Sequence, residues 1–552
     1  MTRHTDAGHA QIAKYVASKT VSHLNAAVEH FELVLDQCPA SHPDHTAALT
    51  NLAWARLEGY IRKDLQDIDT TISLFRDALA SRPQHHPDRF FSIYNLSRAL
   101  IWRHRKKSTA ADIREAAQLY HELLPLCPEG TYLRSIAAGA ALHKLSRALE
   151  SWFTQSSNID DLDEFIQFRR EAVSLCPEGH TDRVSYLNNL AVSLHFYHFK
   201  HQGNPNDLDE AISLHEEALR LCPVGHESRD YSMDNLGGVL VTRFNKRGAI
   251  DDITRAISLR REALTLRPPG HPHRDTTLSN LALALQKRYD KLDVSEDLSE
   301  ATDLYRESLR IRRLDDPERH VTCRNLSSAL CSRFRHTRKN EDVEEAIDLC
   351  QQSLEALPSL HPDRYFSYIW LKEAYLSRYR VQLNPADLSL AVENFRLASR
   401  HPTQGFPRRI IQAYNWTVAA EQHGHASALE AYTSFFEFLD DHLATRSSAT
   451  SRREAAGAFH YARTLPVDAA SCAIRCDNLR RAVELVEQGR GLQWSLASRL
   501  KTPVEDLESA NPTLAHNYLE LSKCISNTAQ SSATNTERAA ADRRASLRLI
   551  CV

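Results

Sequence analysis

Cysteine and histidine recur together along this chain, always four residues apart, and both side chains are common zinc ligands. The pairs are Cys38/His42, Cys176/His180 and Cys222/His226. A zinc site needs about four ligand atoms converging within roughly 2.0–2.3 Å of one ion. These pairs are instead separated by long helical stretches, and no neighbouring residue marks one cysteine as an activated nucleophile. We therefore expect each Cys to be a small buried residue and each His to belong to a connector.

Other arrangements that could support catalysis or cofactor binding are missing from the sequence. Gly489-Arg490-Gly491 does not form a phosphate-binding loop, because no strand precedes it and no Gly-Lys-Ser/Thr follows it. No paired carboxylates and no Ser/His/Asp set stand out. The sequence therefore predicts a non-enzyme with no catalytic, cofactor-binding or metal-binding residues.

Asparagine recurs directly before a leucine at regular intervals. The positions are Asn51, Asn95, Asn189, Asn235, Asn280 and Asn325. We call this set the asparagine row. Each amide offers both a donor and an acceptor, so an exposed row could bind the backbone of an extended peptide. Alternatively, each Asn bonds to the neighbouring repeat and only holds the stack together. Both interpretations remain open at this point.

Two further columns share this register. Arginine stands six residues before most of these asparagines, at Arg89, Arg183, Arg229, Arg274, Arg319 and, ahead of Trp370, at Arg364. Such an Arg is expected to bind the last carbonyls of the preceding helix, with binding of a peptide carboxylate as the alternative. Aromatic residues follow eight positions after the leucine, at Tyr60, Phe153, Phe244, Tyr289, Phe334 and Tyr379, and are expected in the core.

The elements that position these columns repeat with a period of 44 to 49 residues. One apolar anchor recurs at Leu24, Ile68, Ile113, Leu162, Leu208, Ile253, Leu298, Val343 and Leu388. A second anchor recurs in step at Leu52, Leu96, Leu145, Leu190, Leu236, Leu281, Leu326 and Leu371. Self-similarity at a fixed period of about 20–50 residues is typical of solenoids.

Each repeat reads as two helices joined by a Pro-containing connector. Asp207 with Glu210 three residues later predicts a capping box, and Asp112/Glu115, Asp161/Glu164, Asp297/Glu300 and Asp342/Glu345 repeat it. Apolar residues follow at helical spacing, and Cys222-Pro223 ends the helix because Pro disfavours helix at the preceding residue. No strand-like alternation persists, so the chain is predicted to be all-α.

The repeat resembles the tetratricopeptide (TPR) unit. The Ala-x-x-x-Phe/Tyr part of that pattern is matched by Ala27-Phe31, Ala116-Tyr120, Ala301-Tyr305 and Ala391-Phe395, and a closing proline follows in most repeats. The usual unit has about 34 residues, and the extra residues here fall in the connectors. The resemblance is to long variants such as kinesin light chains and large fungal repeat proteins. It implies a right-handed α-solenoid of TPR-like helix pairs, with an asparagine row that binds peptides.

Composition excludes several partner classes. The 552 residues are 42% hydrophobic and 25% charged, with a formal net charge of −3, which gives no reason to propose nucleic-acid binding. No apolar run approaches a membrane span, and the N-terminus lacks the apolar core of a signal peptide. Eleven cysteines without such a signal indicate reduced thiols and a cytoplasmic protein.

The chain divides, on its sequence, into four parts. These are a degenerate start at 1–22, the repeat array at 23–404, a helical C-terminal segment at 405–524, and a polar, disordered or truncated tail at 525–552. Residues 482–507 resemble the junction between a TPR array and a CHAT domain, a caspase-like protease fold. Glu487 to Arg490 and Trp494 carry this match. The resemblance implies catalytic residues beyond Val552, so no residue of this chain takes a catalytic role.

These observations predict a non-enzymatic scaffold that binds a peptide or a partner protein along its concave face. Self-association is a further possibility, because the final LRLICV would expose apolar surface. The alternative is the regulatory array of a CHAT protease, truncated before its catalytic domain.

Overall fold

The computed structural model describes residues 2–63, 67–107, 109–127, 139–156, 159–444, 464–498 and 512–513. All regular elements in these ranges are helical, which confirms the predicted all-α class. Contacts divide the chain into two compact units. The first unit comprises 1–198 and 206–227, and the second comprises 199–205 and 228–552.

The helices up to residue 220 alternate with short connectors. They are α1 (Thr2–Ser18), α2 (Val21–Asp36), α3 (His45–Lys63), α4 (Ile68–Ala80), α5 (Arg89–Lys107), α6 (Ala110–Leu123), α7 (Gly139–Ser156), α8 (Ile159–Ser174), α9 (Arg183–Ser193), α10 (Lys200–Gln202) and α11 (Pro205–Arg220). A π-helical turn, Leu194–Phe199, joins α9 to α10, and a 3₁₀ turn, Leu124–Leu126, follows α6.

The remaining helices belong to the second unit. They are α12 (Arg229–Arg247), α13 (Ile250–Leu266), α14 (Arg274–Leu292), α15 (Ser295–Ile311), α16 (Arg319–Thr337), α17 (Asn340–Ala356), α18 (Arg364–Gln382), α19 (Pro385–Ser399), α20 (Phe406–Gln422), α21 (Ala428–Ala444), α22 (Leu465–Arg475) and α23 (Leu479–Ser498).

Within each unit, every helix packs mainly on its neighbours in sequence. Pairs such as α3/α4 and α14/α15 make the largest interfaces, and the second helix of a pair packs on the first helix of the next. We call the first helix of each pair the A helix (α1, α3, α5, α7, α9, α12, α14, α16, α18 and α20) and the second the B helix. Neighbouring A helices also touch, as α14 touches α12 and α16. The fold is an all-α solenoid of TPR-like helix pairs; the right-handed superhelix remains a prediction.

Both predicted anchor columns form the core. Every anchor from Leu24 to Leu388 on the B helices and from Leu52 to Leu371 on the A helices is buried. The aromatic column is buried as predicted at Tyr60, Phe153, Phe244, Tyr289 and Phe334, and Tyr379 is half-buried. Burying apolar surface contributes roughly 25 cal/mol per Å², so these columns stabilise the contacts between helices.

In three repeats the connector from a B helix to the next A helix contains a β-turn with glycine in the left-handed region. Gly179, Gly225 and Gly270 have φ of 93°, 93° and 91°, a region that side chains with a Cβ rarely adopt. The amide of His180 closes the turn by donating to the carbonyl of Pro177 at 3.1 Å. Pro ends the helix and Gly reverses the chain, which places the next A helix against the preceding B helix.

The predicted capping boxes are wrong. Asp207, Asp297 and Asp342 lie inside the first turn of their helices, because each helix begins three residues earlier than a cap at the Asp would require. Their carboxylates are buried and face the A helix of the same pair. Arg288, nine residues before Asp297, donates to both of its oxygens at 2.6 Å. The same two-bond pairing joins Arg103/Asp112, Arg243/Asp252, Arg333/Asp342 and Arg378/Asp387.

The glutamates assigned to these boxes link neighbouring repeats instead. Glu300 accepts from Arg261 of the preceding B helix at 2.6 Å, and Glu345 accepts from Arg306 in the same way. Arg76/Glu115 and Arg170/Glu210 form equivalent pairs in the first unit. Side-chain capping of the predicted kind occurs elsewhere, at Asp67 ahead of α4.

The helix pairs extend beyond the predicted array on both sides. At the start, α1 packs on α2 as an A helix, and its Gly8 lies against the ring of Phe31. After residue 404, α20 and α21 form another pair in the same register, with Trp416 buried 45 residues after the anchor Leu371. Residues 525–552, predicted to be a polar tail, lie outside the described residues.

Candidate functional site

The asparagine row lies on the A helices, and each of its six side chains is half-buried. Asn415 of α20 occupies the same position one repeat after Trp370, so it extends the row. The residues therefore stand at equivalent places in successive repeats, on a face that is partly open to solvent in each unit. Asn415 was not included in the asparagine row on sequence, because Trp370 interrupts the row in the repeat before it.

Exposed apolar side chains stand four residues before several of these asparagines. Phe91, Tyr231 and Ile411 precede Asn95, Asn235 and Asn415, and are 46%, 47% and 38% exposed. Residues four apart lie on one face of a helix, one turn from each other. Each such helix therefore presents an amide next to an exposed apolar group, the combination that suits a peptide backbone and its side chain.

Asn280 has a different environment from Asn235. Its amide nitrogen donates to the two carboxylate oxygens of Asp234 on the preceding A helix, at 3.2 and 3.3 Å. The amide nitrogen of Asn235 is buried and has no hydrogen-bond partner among the described residues. Asn51 makes a long 3.5 Å contact with His9. The row therefore contains at least one residue that joins repeats and one whose donor is unused within the protein.

The predicted carbonyl-binding role of the arginine column is confirmed for most of its members. Arg274 donates to the carbonyl of Arg267 at 2.8 Å, and Arg364 donates to those of Leu354 and Leu357 at 2.6 and 2.8 Å. Arg89, Arg183 and Arg319 make equivalent bonds. These guanidinium groups are engaged inside the protein, which argues against the alternative role in binding a peptide carboxylate.

Buried basic and polar residues at one repeat position were missed by the sequence reasoning. The TPR aromatic position holds Phe31, Phe75 and Tyr120, then Arg169, His215 and Arg260, and then Tyr305. The side chains of Arg169, His215 and Arg260 are buried, with exposed fractions of 4%, 0% and 4%. The available signal was the break in an aromatic column over three consecutive repeats.

Each replacement has a specific partner. Arg169 pairs with Glu150 at 2.6 Å, and its guanidinium also donates to the backbone carbonyl of Asn189 at 2.8 Å. Arg260 likewise donates to the carbonyl of Asn280 at 2.8 Å and lies 3.5 Å from Asp234. These two arginines therefore hold the backbone at members of the asparagine row.

His215 replaces the same aromatic position with a neutral ring. Its Nδ1 lies 2.8 Å from the side-chain oxygen of Asn188. Burial, with a smaller contribution from His195, lowers the pKa of His215 to about 3. The imidazole is therefore uncharged at physiological pH, unlike the two arginines that flank it in the column.

The cysteines and histidines of the connectors have the structural roles predicted for them. Cys38, Cys176 and Cys222 are buried. The Nδ1 atom of His180 accepts from the backbone amide of Asp182 at 3.1 Å, and His42, His86, His271 and His361 make the same bond two residues ahead. At the Cys position, later repeats carry Arg267 and Arg312, which are also buried.

One group of metal-ligand residues comes together in the described part of the chain. His320, His361 and Asp363 bring one ligand atom each within 4.8 Å of one another. The ring of His361 accepts at Nδ1 from a backbone N–H, so its neutral form carries the proton at Nε2 and cannot coordinate an ion there. Arg324, 3.7 Å from Asp363, adds positive charge. These donors fit a hydrogen-bonded turn better than a metal site.

The residues that resemble the TPR-to-CHAT junction lie mostly outside the described side chains. Glu487 is exposed on α23, whereas nothing is described of the side chains from 489 onward or of residues 499–507. Among the described helices, none is both long enough and apolar enough to cross a lipid bilayer.

No family model matches the sequence, and no curated protein matches it. Solved structures with similar helices include a kinesin light chain of Podospora anserina with nearly identical TPR-like repeats, 21% identical over 40% of this chain and 99% of that one, with a TM-score of 0.30. A Rap protein complexed with competence and sporulation factor is 12% identical over 73% of this chain and 99% of its own, with a TM-score of 0.31.

A third structure, the TPR domain of P58(IPK), is 17% identical over 76% of this chain and 98% of its own, with a TM-score of 0.21. At identities this low the function of a neighbour does not transfer to this chain. The function of this protein is therefore argued from its own residues.

Proposed function

We propose that the chain is a non-enzymatic scaffold that binds an extended peptide, or an extended segment of a partner protein, along its A helices. The observation that supports this proposal is the repeated pairing of a half-buried Asn with an exposed apolar residue one helical turn earlier, as in Tyr231/Asn235 and Ile411/Asn415. Amides can bind the peptide backbone, and the apolar groups can bind its side chains.

The periodicity supports this mode of binding. A helix pair recurs every 45 residues through the second unit, so equivalent amides are presented at one interval per repeat. An extended chain spans up to about 3.3–3.6 Å per residue and offers unsatisfied N–H and C=O groups along its length. A repeated row of amides suits such a ligand better than a compact one. The described cysteines are free thiols, and a cytoplasmic location is part of the proposal.

Asn235 gives the sharpest test, because its amide nitrogen does not bind the neighbouring repeat, whereas that of Asn280 is bound to Asp234. Peptides selected from a random display library on the full chain would be labelled, and their affinities measured by fluorescence anisotropy. Asn235→Ala is expected to weaken binding about three- to tenfold, the value of one or two hydrogen bonds, with an unchanged melting temperature.

Asn280 provides a matched control in the next repeat. Because its amide is already bound to Asp234, Asn280→Ala is expected to lower the melting temperature and to change peptide affinity less than Asn235→Ala does. If no selected peptide loses affinity on Asn235→Ala, or on combining it with Asn325→Ala, the asparagine row does not bind peptides and the proposal fails.

A further inference from the structure

A cleft of about 340 Å³ opens in the second unit between α20, α21 and α22. Tyr414 and Val418 of α20 form one wall, and Leu465 and Asp468 of α22 form the opposite one. Val418 is 46% exposed and stands three residues after Asn415, on the same helix face. The cleft is therefore next to the last asparagine of the extended row and is accessible from the same side of α20.

The charged groups of the cleft are two carboxylates and one guanidinium. Arg475 donates to both oxygens of Glu421 at 2.6 Å, so the charge of this carboxylate is already balanced. Asp468, in the first turn of α22, is exposed and has no ion-pair partner among the described residues. One negative charge in the cleft is thus left for a ligand.

The surroundings of Glu421 indicate that it is fixed in place. Burial and the negative charge of Glu421 raise the pKa of Tyr432, and they also raise the pKa of Cys472 to about 12. Both groups remain protonated at neutral pH and can donate toward this carboxylate. The wall formed by Glu421 and Arg475 is therefore neutral overall, and selectivity depends on Asp468 and the tyrosines.

We propose that this cleft binds the cationic side chain of an arginine or lysine. This inference rests on the proposed function and adds one element of specificity to it, a basic residue in the bound peptide. The volume suits one long side chain, whose stem would pack on Val418 and Leu465. The charged end would lie against Asp468 and against the ring of Tyr414, since cations are attracted to the faces of aromatic rings.

The test uses the full-length chain and three small probes, Nα-acetyl-arginine amide, Nα-acetyl-lysine amide and Nα-acetyl-citrulline amide, measured by ligand-observed NMR or calorimetry. Citrulline has the shape of arginine without its charge. The cationic probes are expected to bind at least about threefold more tightly than citrulline, and to lose this preference when NaCl is raised from about 0.05 to 0.5 M.

Asp468→Asn is expected to remove the preference for the cationic probes, and Asp468→Lys to abolish their binding. Glu437→Gln removes one exposed negative charge from α21, away from the cleft, and should leave binding unchanged. Because Asp468 is exposed, the melting temperature of both variants should match the wild type. Equal binding of arginine and citrulline probes, or no effect of Asp468→Asn, would overturn the inference.

The outcomes separate this inference from the proposed function. If library-selected peptides still depend on Asn235 but not on Asp468, only the cation site is wrong. If the cationic probes bind through Asp468 while no peptide depends on the asparagine row, the inference about the cleft is supported and the peptide proposal fails.

Discussion

Arg274 joins three helices through one guanidinium group. One nitrogen donates to the carbonyl of Arg267 at the end of α13, and another donates to Glu307 of α15 at 2.8 Å. The side chain itself starts at the first residue of α14. Arg89 and Arg183 make the same three-way contact with Glu122 and Glu217. These three arginines thus fix their A helices between the preceding and following B helices.

This relationship predicts a local loss of stability in Arg274→Ala. The variant loses a charged hydrogen bond to a carbonyl and one to Glu307, and a bond of this type contributes about 1.5–3 kcal/mol. Hydrogen exchange should show faster opening of α13 and α14, along with a lower melting temperature. Arg313→Ala, at a fully accessible side chain, should change stability by less than about 0.5 kcal/mol. Equal effects of the two substitutions would contradict the three-way contact.

The buried Arg288/Asp297 pair predicts a larger effect than the surface pair formed by Glu300 on the same helix. The side chain of Asp297 is only 4% exposed and that of Arg288 is 22% exposed. Asp297→Asn leaves Arg288 partly buried without its charge partner, which costs about 3 kcal/mol. Glu300→Gln breaks an exposed pair with Arg261, worth about 0–1 kcal/mol. Urea unfolding of both variants tests this, and equal midpoints would show that burial does not matter here.

The buried Arg/Asp pairs join residues nine positions apart, and His198 takes the place of the arginine in the pair with Asp207. This pair is therefore sensitive to pH. The ring of His198 lies 2.7 Å from Asp207 and 3.3 Å from Asp163, and Arg170 is the nearby positive charge. Burial alone would lower its pKa, but the hydrogen bond to Asp207 and the two carboxylate charges outweigh burial and raise the pKa above its usual value. The protonated ring therefore stabilises the folded state.

Because the folded pKa of His198 is raised, this stabilisation is complete below the usual pKa of 6.5 and is lost as the pH rises through the folded value. Melting temperatures of the wild type and His198→Arg should be compared between pH 5 and 8. The difference in melting temperature in favour of His198→Arg is expected to grow as the pH rises. A constant difference across this range would rule out the titration of His198. Subtracting the two curves removes contributions from other histidines such as His215.

Gly8 predicts that α1 depends on a close approach to Phe31. A Cβ at position 8 would lie 2.5 to 2.9 Å from three carbons of the ring, so Gly8→Ala requires the ring or the helix to move. Overpacking of this kind costs about 1–3 kcal/mol, more than the roughly 1 kcal/mol that alanine gains in helix propensity. Phe31→Leu should rescue the variant in a double-mutant cycle followed by thermal unfolding. Additive effects would mean that the two residues are not in contact.

Much of the fold follows from periodicity. The 45-residue spacing of Leu208, Ile253 and Leu298, and of Leu236, Leu281 and Leu326, identifies buried faces on alternate helices. A recurring apolar position can be satisfied only by packing against the same position of a neighbour, so the order of helices and their packing partners follow from sequence. The role of the arginine column follows as well, because a helix end offers carbonyls to any nearby cation.

Polar partners were decided by the tertiary structure. The sequence placed Asp297 correctly at the start of its helix, but the helix begins three residues earlier than predicted, so Asp297 is the partner of Arg288 and not a cap. Asn280 binds Asp234 whereas the amide nitrogen of Asn235 has no partner among the described residues, although both stand at the same repeat position. The cleft beside Asp468 depends on how α22 meets α20 and α21. Hydrophobic burial requires only that a face be covered, whereas a hydrogen bond requires two atoms within about 3 Å and at the right angle, and only the packed structure determines that.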